Sequence, residues 1–225
     1  MRFNQTILLP IGVCIFIFLL VLQKEIQAKT PNSLAPSTPS LSNKNAIKII
    51  GFRSARFGMT EREVLKSIFK DYGISKSKIQ RRIHPKEKTM NFNFGVNDLL
   101  PNTGLAKLFY VFGFKTKRLI QVNILWNKTS PKFNPQTLVD TANHLRSHFL
   151  SQGFQKNGLT INSKLPDGSI IVFRGVDLNG KMVVLLLVNP PPQEGQPPNQ
   201  NINLRLSYIA SPDSPDIFKI KKDDF

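Results

Sequence analysis

Asp140, His144 and His148 fall four residues apart in a segment of helical pattern, which places a carboxylate and two imidazoles on one helix face. Such a set could hold a metal ion and would make the chain a metal-dependent hydrolase of the cell envelope. The residue types argue more strongly for an ordinary polar helix face beside an apolar stripe. No third histidine lies nearby, His84 being far off in a basic segment, and no His-Glu-x-x-His pattern is present. Other chemistries lack their residues altogether. The one cysteine, Cys14, sits in an N-terminal apolar run, so a processed chain would have no thiolate nucleophile, no thiolate metal site and no disulfide. There is no Gly-x-Ser-x-Gly elbow, no phosphate-binding glycine-rich loop and no Cys-x-x-Cys, and the 14 acidic residues form no evident catalytic pair. The expectation is a non-enzymatic protein without a cofactor.

Charge points instead to binding. Lys and Arg outnumber Asp and Glu by 31 to 14, a formal charge of +17 that makes attraction to polyanions the default electrostatic behaviour. The densest basic stretch holds Lys76, Lys78, Arg81, Arg82, Lys86 and Lys88 against a single acid, Glu87, and Arg53 and Arg56 lie shortly upstream. These residues are either an anion-binding patch or a solvated connecting loop, the commoner fate of a charge run. The stretch lacks the interleaved aromatics on which single-stranded nucleic acid stacks. An acidic envelope protein or an anionic envelope polymer is the expected partner. Association with a membrane surface is compatible with the same charge, and nucleic acid is disfavoured.

The address comes from residues 1–28. Arg2 supplies a positive start, Ile7 to Leu22 is almost entirely apolar, and Ile26-Gln27-Ala28 ends on a small residue. A cleaved signal peptide and an uncleaved N-terminal anchor both fit, and both imply export to the periplasm or cell envelope. Residues 29–45, rich in Pro, Ser, Thr and Asn, read as a disordered tether.

The elements that must position any site follow a repeating order. Thr60 and Glu63 form a capping box, Met59 and Val64 are placed for a hydrophobic staple, and Val64, Leu65, Ile68, Phe69 and Tyr72 make an apolar stripe that Gly73 ends. Three alternating runs come next: Met90 to Val96, Leu108 to Phe114, and Ile120 to Trp126. Asn134-Pro135 then starts a second helix with the stripe Leu138, Ala142, Leu145 and Phe149. Three more strands follow at Ile170 to Arg174, Met182 to Val188 and Ile202 to Ala210, with Asn179-Gly180 as a hairpin turn between the first two. The spacing predicts an α+β protein of two tandem helix-strand-strand-strand units, 46–129 and 130–210, with an antiparallel sheet, helices on one face and a flexible tail over 211–225. The uncovered face would offer a broad surface for a partner, in preference to a pocket.

The stretch Gly58-Met59-Thr60, with Val64 four positions on from Thr60, resembles the Gly-Met-Ser/Thr-x-x-x-Val signature of small envelope proteins of the SmpA/OmlA type, the BamE component of the outer-membrane β-barrel assembly machinery. Tandem helix-plus-three-strand units in an exported chain also resemble the β-lactamase-inhibitor-protein fold. The resemblance implies a scaffolding or binding role in the cell envelope.

Overall fold

The computed structural model describes residues 47–127, 134–189 and 202–220. The leader, the tether and the proline-rich stretch between the last two strands lie outside them. Residues 47–50 are extended and lead into a two-stranded hairpin, β1 (Gly51–Phe52) and β2 (Ala55–Arg56). Helix α1 (Glu61–Tyr72) follows, then strands β3 (Gln80–Ile83), β4 (Met90–Asn97), β5 (Leu105–Phe112) and β6 (Leu119–Trp126). Helix α2 (Pro135–Leu150) begins the second unit, completed by β7 (Thr160–Lys164), β8 (Ile170–Val176), β9 (Met182–Val188) and β10 (Asn203–Ile209). The fold is α+β, as the pattern of the chain predicts.

Strands β3 to β10 form one antiparallel sheet in the order β3-β4-β5-β6-β10-β9-β8-β7. The final strand of each unit lies at the centre, where β6 and β10 pair from Leu204 opposite Trp126 to Ile209 opposite Gln121. Each unit therefore carries one strand more than expected, and in both it is the outer edge. The extra strands are short and polar, QRRI and TINSK, without the apolar alternation that betrays a half-buried strand. All of β3 is exposed, and Asn162 puts a local kink into β7 with a φ of 51°, the pairing with β8 keeping one register on either side. Charge on a short edge and a kink in it both discourage another chain from pairing there. A 3₁₀ turn precedes each edge strand, at Lys76–Lys78 and Lys156–Gly158, a detail of the repeat that the sequence does not display.

The helix starts obey their local chemistry. The Thr60 hydroxyl accepts from the Glu63 amide at 3.3 Å, and the Glu63 carboxylate accepts from the Thr60 amide and hydroxyl, both at 2.7 Å. Gly73 closes α1 in the left-handed conformation at φ 66°, its amide donating to the Phe69 carbonyl at 2.8 Å. The bonds from Thr60 hold the Glu63 carboxyl below its ordinary value of 4.5. A depressed folded value means that this contribution is present above the unfolded value and is lost as pH falls through the folded one. Replacing Thr60 with alanine is expected to cost about 1 kcal/mol at neutral pH. The gap in thermal midpoint between Thr60→Ala and the parent should narrow as the buffer is taken below 4.5; a gap that stays constant down to pH 2 would show that the carboxylate plays no part in the cap.

Both helices bury against one face of the sheet, in a single apolar cluster. On α1 the buried residues are Val64, Ser67 and Ile68, whereas Phe69, expected in the stripe, is 63% exposed. The last aromatic of each helix packs on an aromatic of its unit's second strand, tilted in the first unit and stacked in the second. Tyr72 lies 5.6 Å from Phe94 and Phe149 lies 5.2 Å from Phe173, centroid to centroid. The β1–β2 hairpin sits over the sheet centre, Phe52 at 5.2 Å from Tyr208 on β10.

The opposite face is not the open surface expected. The register places Val111, Ile209, Met182 and Val184 there, and all four are buried, together with Asn123 and Ser207. The sign was in the sequence: β9 is a continuous apolar run, Met182-Val-Val-Leu-Leu-Leu-Val, which marks a strand buried on both sides. Residues 211–220, expected to be part of a flexible tail, are bonded to the body. Asp216 accepts from the Lys115 and Thr116 amides at 2.9 Å and from the Thr116 hydroxyl at 2.6 Å, so it caps the β5–β6 turn. Beyond it the Phe218 amide donates to the Glu87 carbonyl at 2.8 Å and the Phe218 ring meets Phe114 edge-on.

Candidate functional site

The repeat leaves a half-open cleft of about 590 Å³ on the helix-covered side of the sheet. Its floor is the central strand pair, with Ile124 and Trp126 from β6 and Leu206 and Tyr208 from β10. One wall is α2, through Thr141, His144, Leu145, His148 and Phe149; another is the β4–β5 loop, through Leu99, Leu100, Pro101 and Thr103; the hairpin adds Phe52 and Arg53. The sheet and helices create this space because α1 and α2 each cover their own unit, and the seam between the units falls at β6 and β10. The alternation of β6 and β10 aims apolar side chains into that seam, and the second helical stripe aims Leu145 and Phe149 down onto it. Volume and lining fit a small-molecule or side-chain pocket, which is mostly apolar with a few polar groups at its edge.

The polar groups are informative. The Thr141 hydroxyl donates to the Thr137 carbonyl and the Thr103 hydroxyl to the Leu100 carbonyl, both at 2.7 Å. Neither is held by a histidine, so the cleft presents no nucleophile paired with a base. Among the described residues no carboxylate, lysine, serine or cysteine lines it. Burial pushes the Tyr208 phenol up to about 12, with Tyr72 adding to the shift, so this hydroxyl stays neutral at physiological pH. Trp126 is 1% exposed and its indole nitrogen finds no acceptor among the described residues. Arg53 lies at the rim in the left-handed conformation, φ 51°. Its guanidinium is 4.7 Å from the centre of the Tyr72 ring and makes one long bond, 3.4 Å, to the Asp71 carbonyl.

The residues of the alternative metal reading do not converge. His144 and His148 line the cleft, but Asp140 accepts from the Gln136 side-chain amide at 2.9 Å and does not line it. Among the described residues no group of three or more His, Cys, Asp or Glu side chains could hold a metal ion. Helical spacing puts the three on one stripe, yet among the described residues no second element brings a further ligand to them. The two histidines lie at the cleft mouth.

The basic residues named from the sequence are distributed and not gathered. Arg53 is at the cleft, and Arg56, on β2, is exposed. Lys76 and Lys78 are on the exposed 3₁₀ turn, and Lys86 and Lys88 belong to the β3–β4 connection. Arg81 and Arg82 occupy β3, where alternation turns them to opposite faces: Arg81 pairs with Glu61 at 3.4 Å and Arg82 bonds to Gln80. Reading the run as a loop missed β3. Reading it as one patch missed the alternation a strand imposes. His84 is half-buried in the same connection; burial, with Lys86 nearby, lowers its pKa, and burial raises that of Glu87, whose carboxylate lies 3.9 Å away.

The cleft itself was not foreseen, since the pattern suggested a presented surface. Its lining comes from stretches around residues 52, 100, 125, 145 and 206, and no local motif links them. Comparison with known proteins adds no assignment: no family model, no curated protein and no solved structure gives a significant match to the chain.

Proposed function

We propose that this chain is a non-enzymatic binding protein that seats an apolar ligand, or an apolar group of a partner, in the cleft between its two units. The observation that carries the reading is the cleft: about 590 Å³ floored by Ile124, Trp126, Leu206 and Tyr208, with its threonine hydroxyls committed to backbone carbonyls. Such a lining favours holding a molecule over transforming it. The leader and tether read in residues 1–45 give the proposal its setting, the cell envelope. The basic residues on β3 and its flanking turns would favour anionic surroundings there, through long-range attraction and without one recognition patch.

Trp126 is the only tryptophan and lies on the cleft floor, so its emission reports occupancy. Titration with the neutral apolar dye N-phenyl-1-naphthylamine is expected to quench Trp126 by energy transfer in a saturable way. Leu145→Gln, which removes an apolar wall residue from a half-buried position, is expected to weaken that binding about tenfold, the cost of losing one buried leucine contact. Emission indifferent to the dye, or a Leu145→Gln protein that binds it as tightly as the parent, would sink the proposal.

A further inference from the structure

The cleft is apolar inside and carries basic side chains at its mouth. Among the described lining residues Arg53, His144 and His148 are the ones that can carry charge, apart from the neutral phenol of Tyr208, and all three are bases. They stand on two different walls: Arg53 on the hairpin, and His144 and His148 one helical turn apart on α2, each of them exposed. Two acids stand near these walls, Asp71 beside the hairpin and Asp140 on α2, and neither is among the lining residues described. The Asp71 carboxylate accepts from the Ser54 amide at 3.0 Å, and Asp140 accepts from Gln136. A guanidinium has five donors, and Arg53 uses one of them in a long bond among the described residues. Its position over the Tyr72 ring keeps the fork at the rim, where a planar anion could take two parallel bonds from it. Lipophilic walls under a one-signed rim are complementary to a molecule with an apolar body and one anionic end.

We infer that the ligand of this cleft is an anionic amphiphile, an aliphatic carboxylate whose chain lies on the Trp126–Leu206 floor and whose head group meets Arg53, with His144 and His148 opposite. This rests on the reading of the cleft as a binding site and adds what the site selects. A neutral lipid or an apolar peptide segment would use the floor and leave the rim cations without a purpose.

The test compares decanoate with decanol, equal in chain and different in charge, both kept below the concentration at which decanoate forms micelles and followed by Trp126 emission. Decanoate is expected to bind about tenfold more tightly than decanol, the scale of one charge-assisted bidentate contact. In Arg53→Gln the two affinities are expected to converge. Arg53 is exposed at the tip of the hairpin, so the variant should fold. It removes one charge of an excess of +17, so a preference arising from overall charge would survive it. Equal affinities in the parent protein, or a preference for decanoate that persists in Arg53→Gln, would overturn the inference and leave the cleft as a site for neutral apolar groups. Binding of an apolar peptide with neither alkyl ligand bound would overturn it in the same way. If the dye, the alcohol and the carboxylate all fail to bind, the reading of the cleft as a site falls with it.

Discussion

Phe173→Ala is expected to lower the unfolding free energy by about 3–5 kcal/mol, the range for removing a buried phenylalanine. Phe173 has no exposed surface and lies at the meeting point of three parts of the second unit. Its ring stacks on Phe149 at 5.2 Å and 25°, which ties α2 to the sheet, and meets Phe154 edge-on at 5.2 Å and 66°, which ties down the chain after the helix. The neighbourhood cannot collapse into the space left behind. Gly175, two residues along the strand, already has Phe154 so near that an added Cβ would stand 2.5 Å from that ring. A cavity should therefore remain and add to the loss of buried area. Phe149 also lines the cleft, so ligand affinity should fall with stability. Urea unfolding is the measurement, with the midpoint shifted and the slope unchanged. A shift worth less than about 1 kcal/mol would mean that α2 is not held by this stack.

The second large effect is expected at Asp177, a buried carboxylate that organises both a turn and a long-range joint. Its Oδ1 accepts from the Asn179 amide at 2.8 Å and from the Lys181 amide at 2.9 Å, which shapes the β8–β9 turn. Its Oδ2 accepts from the Ile49 amide at 2.9 Å and so anchors the extended segment ahead of the first hairpin. Asp177→Ala would orphan three amides at once. Hydrogen bonds to a charged acceptor are worth about 1.5–3 kcal/mol each, and the amides of an exposed turn can partly recover water, so a total near 3 kcal/mol is expected. Asp177→Asn, which keeps one carbonyl acceptor, should lose less. Amide hydrogen exchange separates the two roles: in Asp177→Ala the Ile49 amide should exchange faster along with Asn179 and Lys181. Faster exchange in the turn alone, with Ile49 still protected, would show that the joint to the first unit does not depend on this side chain.

These two sites show where sequence reading stops. Asn179-Gly180 announces a hairpin from the chain alone, and the hairpin is there, with Gly180 at φ 73°. That Asp177 also holds Ile49, 128 residues away, leaves no local trace. The stripe of α1 was legible as a period and its rotation was not, because Phe69 and Ser67 sit on either side of the same apolar line and only the neighbouring elements decide which is covered. The edge strands escaped for the opposite reason. Their residues are polar because they are edges, so the signal by which strands are recognised is the one that an edge must suppress.

By itself the sequence determined what local hydrogen bonding and periodicity determine: a capped helix at Thr60, a second at Asn134, three strands after each, and hence an α+β chain built twice over. Only the tertiary structure decided that the units join through β6 and β10, and that His144, His148 and Arg53 line one apolar cleft while Asp140 lies outside it. The physical reason is range. Caps, turns and alternation are settled by groups a few bonds or one turn apart, whereas a cleft exists only where separate segments fail to fill the space between them, and that depends on every element that packs around it.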